Sequence, residues 1–170
     1  MAEKNYAVTN GAAPGAGAAV AITTGTAIKT MIQLATNTTT PSLRFTEWWA
    51  EFDGSTAATP IKVELIRHTG GAQTTLTAYV AGDIAKWNDP NAPASSIQLG
   101  TALSGYSNTT TEVTPTGAVS LETHFVPPTS GIYVQFPLGR EPEVQVSAFA
   151  RLRTTAGAAV NCMAGLVWAE

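Results

Sequence analysis

The sequence predicts an all-β chain: an antiparallel β-sandwich of jelly-roll type over residues 26–170, preceded by a flexible, extended N-terminal arm over residues 1–25. Three observations carry this prediction. Apolar residues recur at every second position in segment after segment, no segment holds a 3.6-residue period, and Pro- and Gly-rich turns separate about eight such runs. At 170 residues the chain fits one domain that buries a full core without metals or disulfides.

The arm comes first. "NGAAPGAGAA" is too rich in glycine for a regular element, and Tyr6 and Val8 are the apolar side chains that stand out near the start. Two readings are open: a tail carrying two incidental apolar residues, or an arm that orders on a partner. From residue 27 the period is two. In "AIKTMIQLAT", Ile28, Thr30, Ile32 and Leu34 share one face against Lys29, Met31 and Gln33, and "TNTTTPS" ends the run.

In "LRFTEWWAEFDG", Leu43 and Phe45 fall on one parity and Trp48, Ala50 and Phe52 on the other. A β-bulge near Glu47 brings all five to the core side and leaves Trp49 outside. Asp53-Gly54 closes that strand. Beyond Pro60, Ile61, Val63 and Leu65 point inward while Lys62 and Glu64 point outward. Gly70-Gly71 reads as a hairpin turn into "AQTTLTAYV".

Residues 82–117 are less regular. The 82–97 loop, "GDIAKWNDPNAPASS" and its neighbours, has too many breakers for a long strand and is a candidate contact surface, with Trp87 pinning it to the body. The last third is the clearest part. Val119, Leu121, Thr123 and Phe125 alternate with Ser120, Glu122 and His124, and "GIYVQFP" follows a Pro127-Pro128 turn. "EVQVSAFARLR" reads as one strand, with Val144, Val146, Ala148, Ala150 and Leu152 on one face. Val160, Cys162, Ala164, Leu166 and Trp168 share a face in a final strand that is expected to be paired.

Composition limits the functions available. Only 12% of residues are charged and the net charge is −3, so the surface is built from Thr, Ser, Asn and Gln. Nucleic acid binding requires clustered cations, and the nearest approach to a cluster, Arg151 and Arg153, reads as a solvated strand face. The single cysteine, Cys162, sits in an apolar run and reads as a buried, inert thiol. The Ala-rich start lacks the continuous apolar core of a signal peptide, and no stretch approaches the ~20 apolar residues of a membrane helix. A soluble protein with no membrane partner is expected.

Reactive constellations are missing from the pattern. His68 and His124 have no His-x-His spacing for a metal, and Glu122 beside His124 reads as a surface contact rather than a dyad. "NDPN" has too few carboxylates for a calcium loop. "GAAPGAG" lacks the Gly-Lys-Ser/Thr ending and the following helix of a phosphate loop. The sequons at Asn37 and Asn108 read as exposed loops. The expectation is a non-enzymatic protein with no catalytic residue, cofactor or metal. What remains is surface: Trp49, Tyr106, Tyr133 and Phe149 fall on outward or loop positions, unless the bulge lies elsewhere and some of them are core. Aromatic side chains at the surface mark interfaces. Tyr6, Val8, Trp49 and Trp87 are the candidate protein-contact residues.

The segments "YAVTNGAAP", "GTAIKTMIQLAT", "FDGSTAATPIKVELI", "IQLGTALSGY" and "YVQFPLGREPEV" span essentially the whole chain. Together they resemble small virion structural proteins of tailed bacteriophages that infect actinobacteria, many of which look like head decoration proteins. The resemblance implies a sandwich attached to the outer capsid surface of a virion assembled in the host cytoplasm. It further implies the major capsid protein as partner and a homo-oligomer, with a trimer favoured. It carries no ligand residues. A carbohydrate- or receptor-binding sandwich of a fibre or tail tip is the alternative, with Trp49 and Trp87 stacking on sugar rings.

Overall fold

A computed structural model of the chain describes residues 3–11, 20–38, 42–56, 58–107 and 112–170. Its strands are β1 (Asn5–Thr9), β2 (Ile22–Thr23), β3 (Ile28–Ala35), β4 (Leu43–Phe52), β5 (Ile61–His68), β6 (Thr77–Ala78) and β7 (Ala85–Lys86), followed by β8 (Gly105–Tyr106), β9 (Val119–Val126), β10 (Gly131–Gln135), β11 (Glu143–Val144), β12 (Phe149–Thr155) and β13 (Asn161–Ala169). Eight of these have five or more residues; seven fall on alternating runs of the sequence, the eighth is β1, and the run "AQTTLTAYV" gives only the two-residue β6. The one helical element described is a single 3-10 turn at Ala81–Asp83.

Two antiparallel sheets pack face to face. Sheet A runs β10-β4-β13-β1-β7, with β11 also on β4 and β2 also on β13; sheet B runs β6-β8-β3-β12-β5-β9. Between them lie the inward residues of both sheets, including Phe45, Trp48, Leu166 and Trp168 from sheet A and Ile32, Leu65, Ala150 and Leu152 from sheet B, all fully buried. At about 25 cal/mol per Å² of apolar surface removed from water, this layer is the main source of stability. The sheets are joined across one flank by residues 79–84, between β6 and β7, and across the opposite flank by 127–130, between β9 and β10.

The β4 bulge is where the parity change demands it. Val167 of β13 faces Glu47, but Trp168 faces Phe45, so Thr46 is the extra residue. Phe45 and Trp48 both turn inward as a result. A second register slip was not legible in the sequence: Leu152 faces Ile32 while Arg153 faces Thr30, which makes Met31 the extra residue of β3. The single-face alternation expected from Ile28 to Leu34 therefore breaks, and Lys29 to Ala35 are all buried.

Four expectations need correction. Residues 1–25 are not simply an arm, because β1 lies between β13 and β7, with Tyr6 paired to Trp168 and Val8 to Leu166, and β2 also pairs with β13. A five-residue strand shows little period by itself, and its partner stands at the far end of the chain. Residues 12–19, which hold most of the Gly-rich stretch, lie outside the described residues, as does the Asn108 sequon. Gly70-Gly71 makes no hairpin: β5 pairs with β12 and β9, and Gly70 instead bridges Thr116.

"EVQVSAFARLR" is two strands rather than one. β11 belongs to sheet A and β12 to sheet B, and the chain crosses between them through Ser147, whose φ of 56° is the left-handed turn that permits it. Arg151 is not solvated. The excursion after β5 folds over the outer face of sheet B, and Arg151 is buried beneath it. Its Nη1 donates to Glu112 Oε1 (2.6 Å) and Val113 O (2.8 Å), and its Nη2 to Gly71 O (2.8 Å) and Gln33 Oε1 (3.0 Å).

Candidate functional site: an aromatic groove on sheet A

The bulge at Thr46 decides what sheet A shows to the outside. With Trp48, Ala50 and Phe52 turned into the core, Glu47, Trp49 and Glu51 line up on the outer face of β4 at a spacing of about 6.6 Å per two residues. On one side β10 sets Tyr133 opposite Trp49, Gln135 opposite Glu47 and Gly131 opposite Glu51. On the other side β13 sets Gly165 opposite Trp49.

Gly165 explains the attitude of the Trp49 ring. A Cβ at that position would stand 2.0 Å from Cζ2, 2.2 Å from Cη2 and 2.5 Å from Cε2 of the indole, so the ring lies directly against the β13 backbone. Only glycine leaves room for it there. Trp87 follows β7 and is held beside the sheet by its own backbone N, which donates to Asn5 O at 2.7 Å. Its side chain is 55% exposed and that of Tyr133 is 60% exposed. Glu47, Trp49, Glu51, Trp87, Ile132 and Tyr133 line a groove of about 730 Å³.

The groove is acidic and aromatic together. Tyr133 Oη donates to Glu47 Oε2 at 2.6 Å, and Gln135 Nε2 donates to Glu47 Oε1 at 3.4 Å, which fixes the carboxylate beside the Trp49 ring. The hydrogen bond to Glu47 is the leading cause of a Tyr133 pKa above the usual phenol value, with partial burial and the Glu47 charge adding to it. Among the described residues no Lys, Arg or His contributes to the lining. The groove is suited to holding a ligand with an apolar face and hydrogen-bond donors at its edge.

The four contact residues named from sequence divide evenly. Trp49 and Trp87 meet in the groove. Tyr6 and Val8 are buried in the core at 1% and 2% exposure and are not available to a partner, because β1 is an internal strand. Trp87 ties its loop to β1 through its backbone N. Further ties come from Asn88, whose Oδ1 accepts from Asn5 N (2.8 Å) and whose Nδ2 donates to Glu3 O (2.9 Å), from the Lys4–Asp89 ion pair, and from buried Ala92 and Ile97. Of the other aromatic residues, Tyr106 packs on Tyr79 with ring centroids 5.9 Å apart, and Phe149 stacks on His68 at 5.2 Å.

Glu47 and Glu51 were missed by sequence reasoning. The signal was the alternation Glu47-x-Trp49-x-Glu51, which becomes an outer-face row once the bulge is placed. The histidines lie apart from the groove. His124 Nε2 is 2.9 Å from Glu122 Oε2 on β9. His68 Nδ1 donates to Gly70 O at 2.8 Å, and burial pushes its pKa down to about 4. Burial also pushes the Cys162 thiol far above its ordinary value.

Among the described residues no three His, Cys, Asp or Glu side chains are grouped to hold a metal ion, and no helix is long and apolar enough to cross a membrane. No family model, curated protein or solved structure matches this chain.

Proposed function

We propose that this chain is a non-enzymatic phage virion protein that binds the outer surface of a capsid built from the major capsid protein and stabilises the head. In this reading the sandwich is of jelly-roll type, and copies associate as a homo-oligomer, a trimer being favoured. The observation that carries the reading is the distribution of exposed apolar side chains. β9 and β10, the free edges of the two sheets on one flank, and the turns beside them hold Phe125 (72% exposed), Tyr133, Val119 (47%), Leu138 (92%) and Val146 (42%).

These are five of the ten large apolar residues that stand exposed among the described residues, the others being Val20, Ile28, Val80, Trp87 and Leu99, and such a group on a low-charge surface suits close packing against other protein subunits. Free strand edges provide unpaired backbone groups for the same purpose. A lattice gains strength because separating its subunits must also break the added contacts, and several weak attachments per oligomer suffice. The resemblance to decoration proteins points the same way.

Mixing the purified protein with undecorated capsids and imaging the particles tests partner, stoichiometry and position together. Ordered density on the outer shell, weakened by Phe125→Asp and Leu138→Asp, is the expected result. Bare shells at saturating protein would overturn the reading.

A further inference from the structure

We propose that the groove between Trp49, Trp87 and Tyr133 is a binding site for an uncharged pyranose of a glycan chain, a function separate from attachment to a shell. The proposal rests on three features of the groove.

The first is the platform. Trp49 is pressed against the β13 backbone at Gly165, so one ring face is occupied by the protein and the other is left to the groove. A flat aromatic face set this way is complementary to the C–H face of a sugar ring, which is apolar and nearly planar. Trp87 and Tyr133, both more than half exposed, extend the aromatic surface on either side. Large exposed aromatic side chains converging on one concavity are not what an unoccupied sheet face displays.

The second is the polar complement. Glu47 and Glu51 flank Trp49 along β4, two residues away in each direction. A carboxylate offers about four acceptor positions; Tyr133 and Gln135 take two of them at Glu47, which leaves the rest, with those of Glu51, to sugar hydroxyls, whose donors come at a fixed spacing. Glu47 is held in place before any ligand arrives by Tyr133 and Gln135, so little ordering remains to be done on binding.

The third is charge. The lining has two carboxylates and no cation, which disfavours phosphorylated, sulfated or uronic sugars and accepts neutral ones. A cationic side chain of a partner protein would also satisfy the carboxylates and the ring faces. However, a groove of about 730 Å³ is the size of a small-molecule site rather than a socket for one side chain.

The test uses the full chain. Neutral oligosaccharides of glucose, galactose, mannose and N-acetylglucosamine, with polygalacturonate and poly-arginine as charged comparisons, are titrated by calorimetry and by tryptophan fluorescence. At least one neutral oligosaccharide should bind, quench fluorescence and lose about tenfold or more in affinity with Trp87→Ala. Glu51→Gln should weaken the same ligand, whereas Phe125→Ala, outside the groove, should leave it unchanged.

Trp87 is 55% exposed and is not part of the buried core, so its variant is expected to fold, and circular dichroism checks this. No neutral oligosaccharide bound up to about 10 mM, or binding indifferent to both Trp87→Ala and Glu51→Gln, overturns the proposal. Preference for poly-arginine also overturns it and assigns the groove to a basic protein segment. Capsid attachment unaffected by Trp87→Ala separates this outcome from the fate of the decoration reading.

Discussion

His68 shows how a single residue can make this fold sensitive to pH. It is 1% exposed, its Nδ1–H is used by Gly70 O, and its Nε2 is buried with no hydrogen-bond partner. Burial, ahead of the opposing hydrogen bond to Gly70, lowers its pKa from 6.5 to about 4. The unfolded chain therefore takes up a proton on His68 before the folded chain does. Stability from this residue is complete above pH 6.5 and declines as the pH falls towards 4, by up to about 3 kcal/mol. Urea midpoints measured across that interval should fall more steeply for the native sequence than for His68→Gln. Parallel slopes would show that the ring takes up its proton without being expelled.

At the scale of the element, β1 is the informative case. Tyr6 packs on Trp168 with ring centroids 6.0 Å apart, and its hydroxyl donates to Pro93 O at 3.2 Å. Tyr6→Ala should cost about 3–5 kcal/mol, the usual range for truncating a large buried aromatic. Trp87→Ala should stay within about 0.5 kcal/mol. Equilibrium unfolding in urea measures both. Equal stability of the two variants would mean that β1 is dispensable to the core.

The contrast also shows what the sequence made legible. β4, which has one face in and one face out, was readable in period, phase and even bulge position. β1 was not, because a five-residue strand lacks enough turns of the period. β3 was not, because it is covered on both faces and a bulge resets its phase. The groove was half legible. Trp49 and Trp87 were identified one by one, but their meeting depends on β7 joining sheet A through β1, and two-residue strands leave no periodic trace.

At the scale of the whole molecule, the polar layer outside sheet B decides how the long excursion stays down. Arg151 is fully buried, and Glu112, Gln33, Gly71 and Val113 hold its guanidinium, while Gln73 Oε1 accepts from Val113 N at 2.9 Å and Gln33 Oε1 accepts from Gln73 N at 2.9 Å. Removing one partner of such a pair leaves a charge stranded away from water. Glu112→Gln should therefore destabilise the protein by about 3 kcal/mol, and amide exchange should rise first across residues 71–116. Exchange that rises evenly over both sheets would instead mean that the layer and the sandwich open as one unit.

The place of β13 has a consequence for how the protein comes into being. It occupies the middle of sheet A, between β4 and β1, yet it follows both of them, and every other described strand, in chain order. Until β13 is made, β1 can pair only with β7 and β4 only with β10 and β11, and Tyr6, Phe45 and Trp48 lack the neighbours that β13 gives them. The two halves of sheet A, β10-β4 and β1-β7, are thus joined only by the strand most distant from β1 along the chain, which makes completion of the sheet a long-range step of folding.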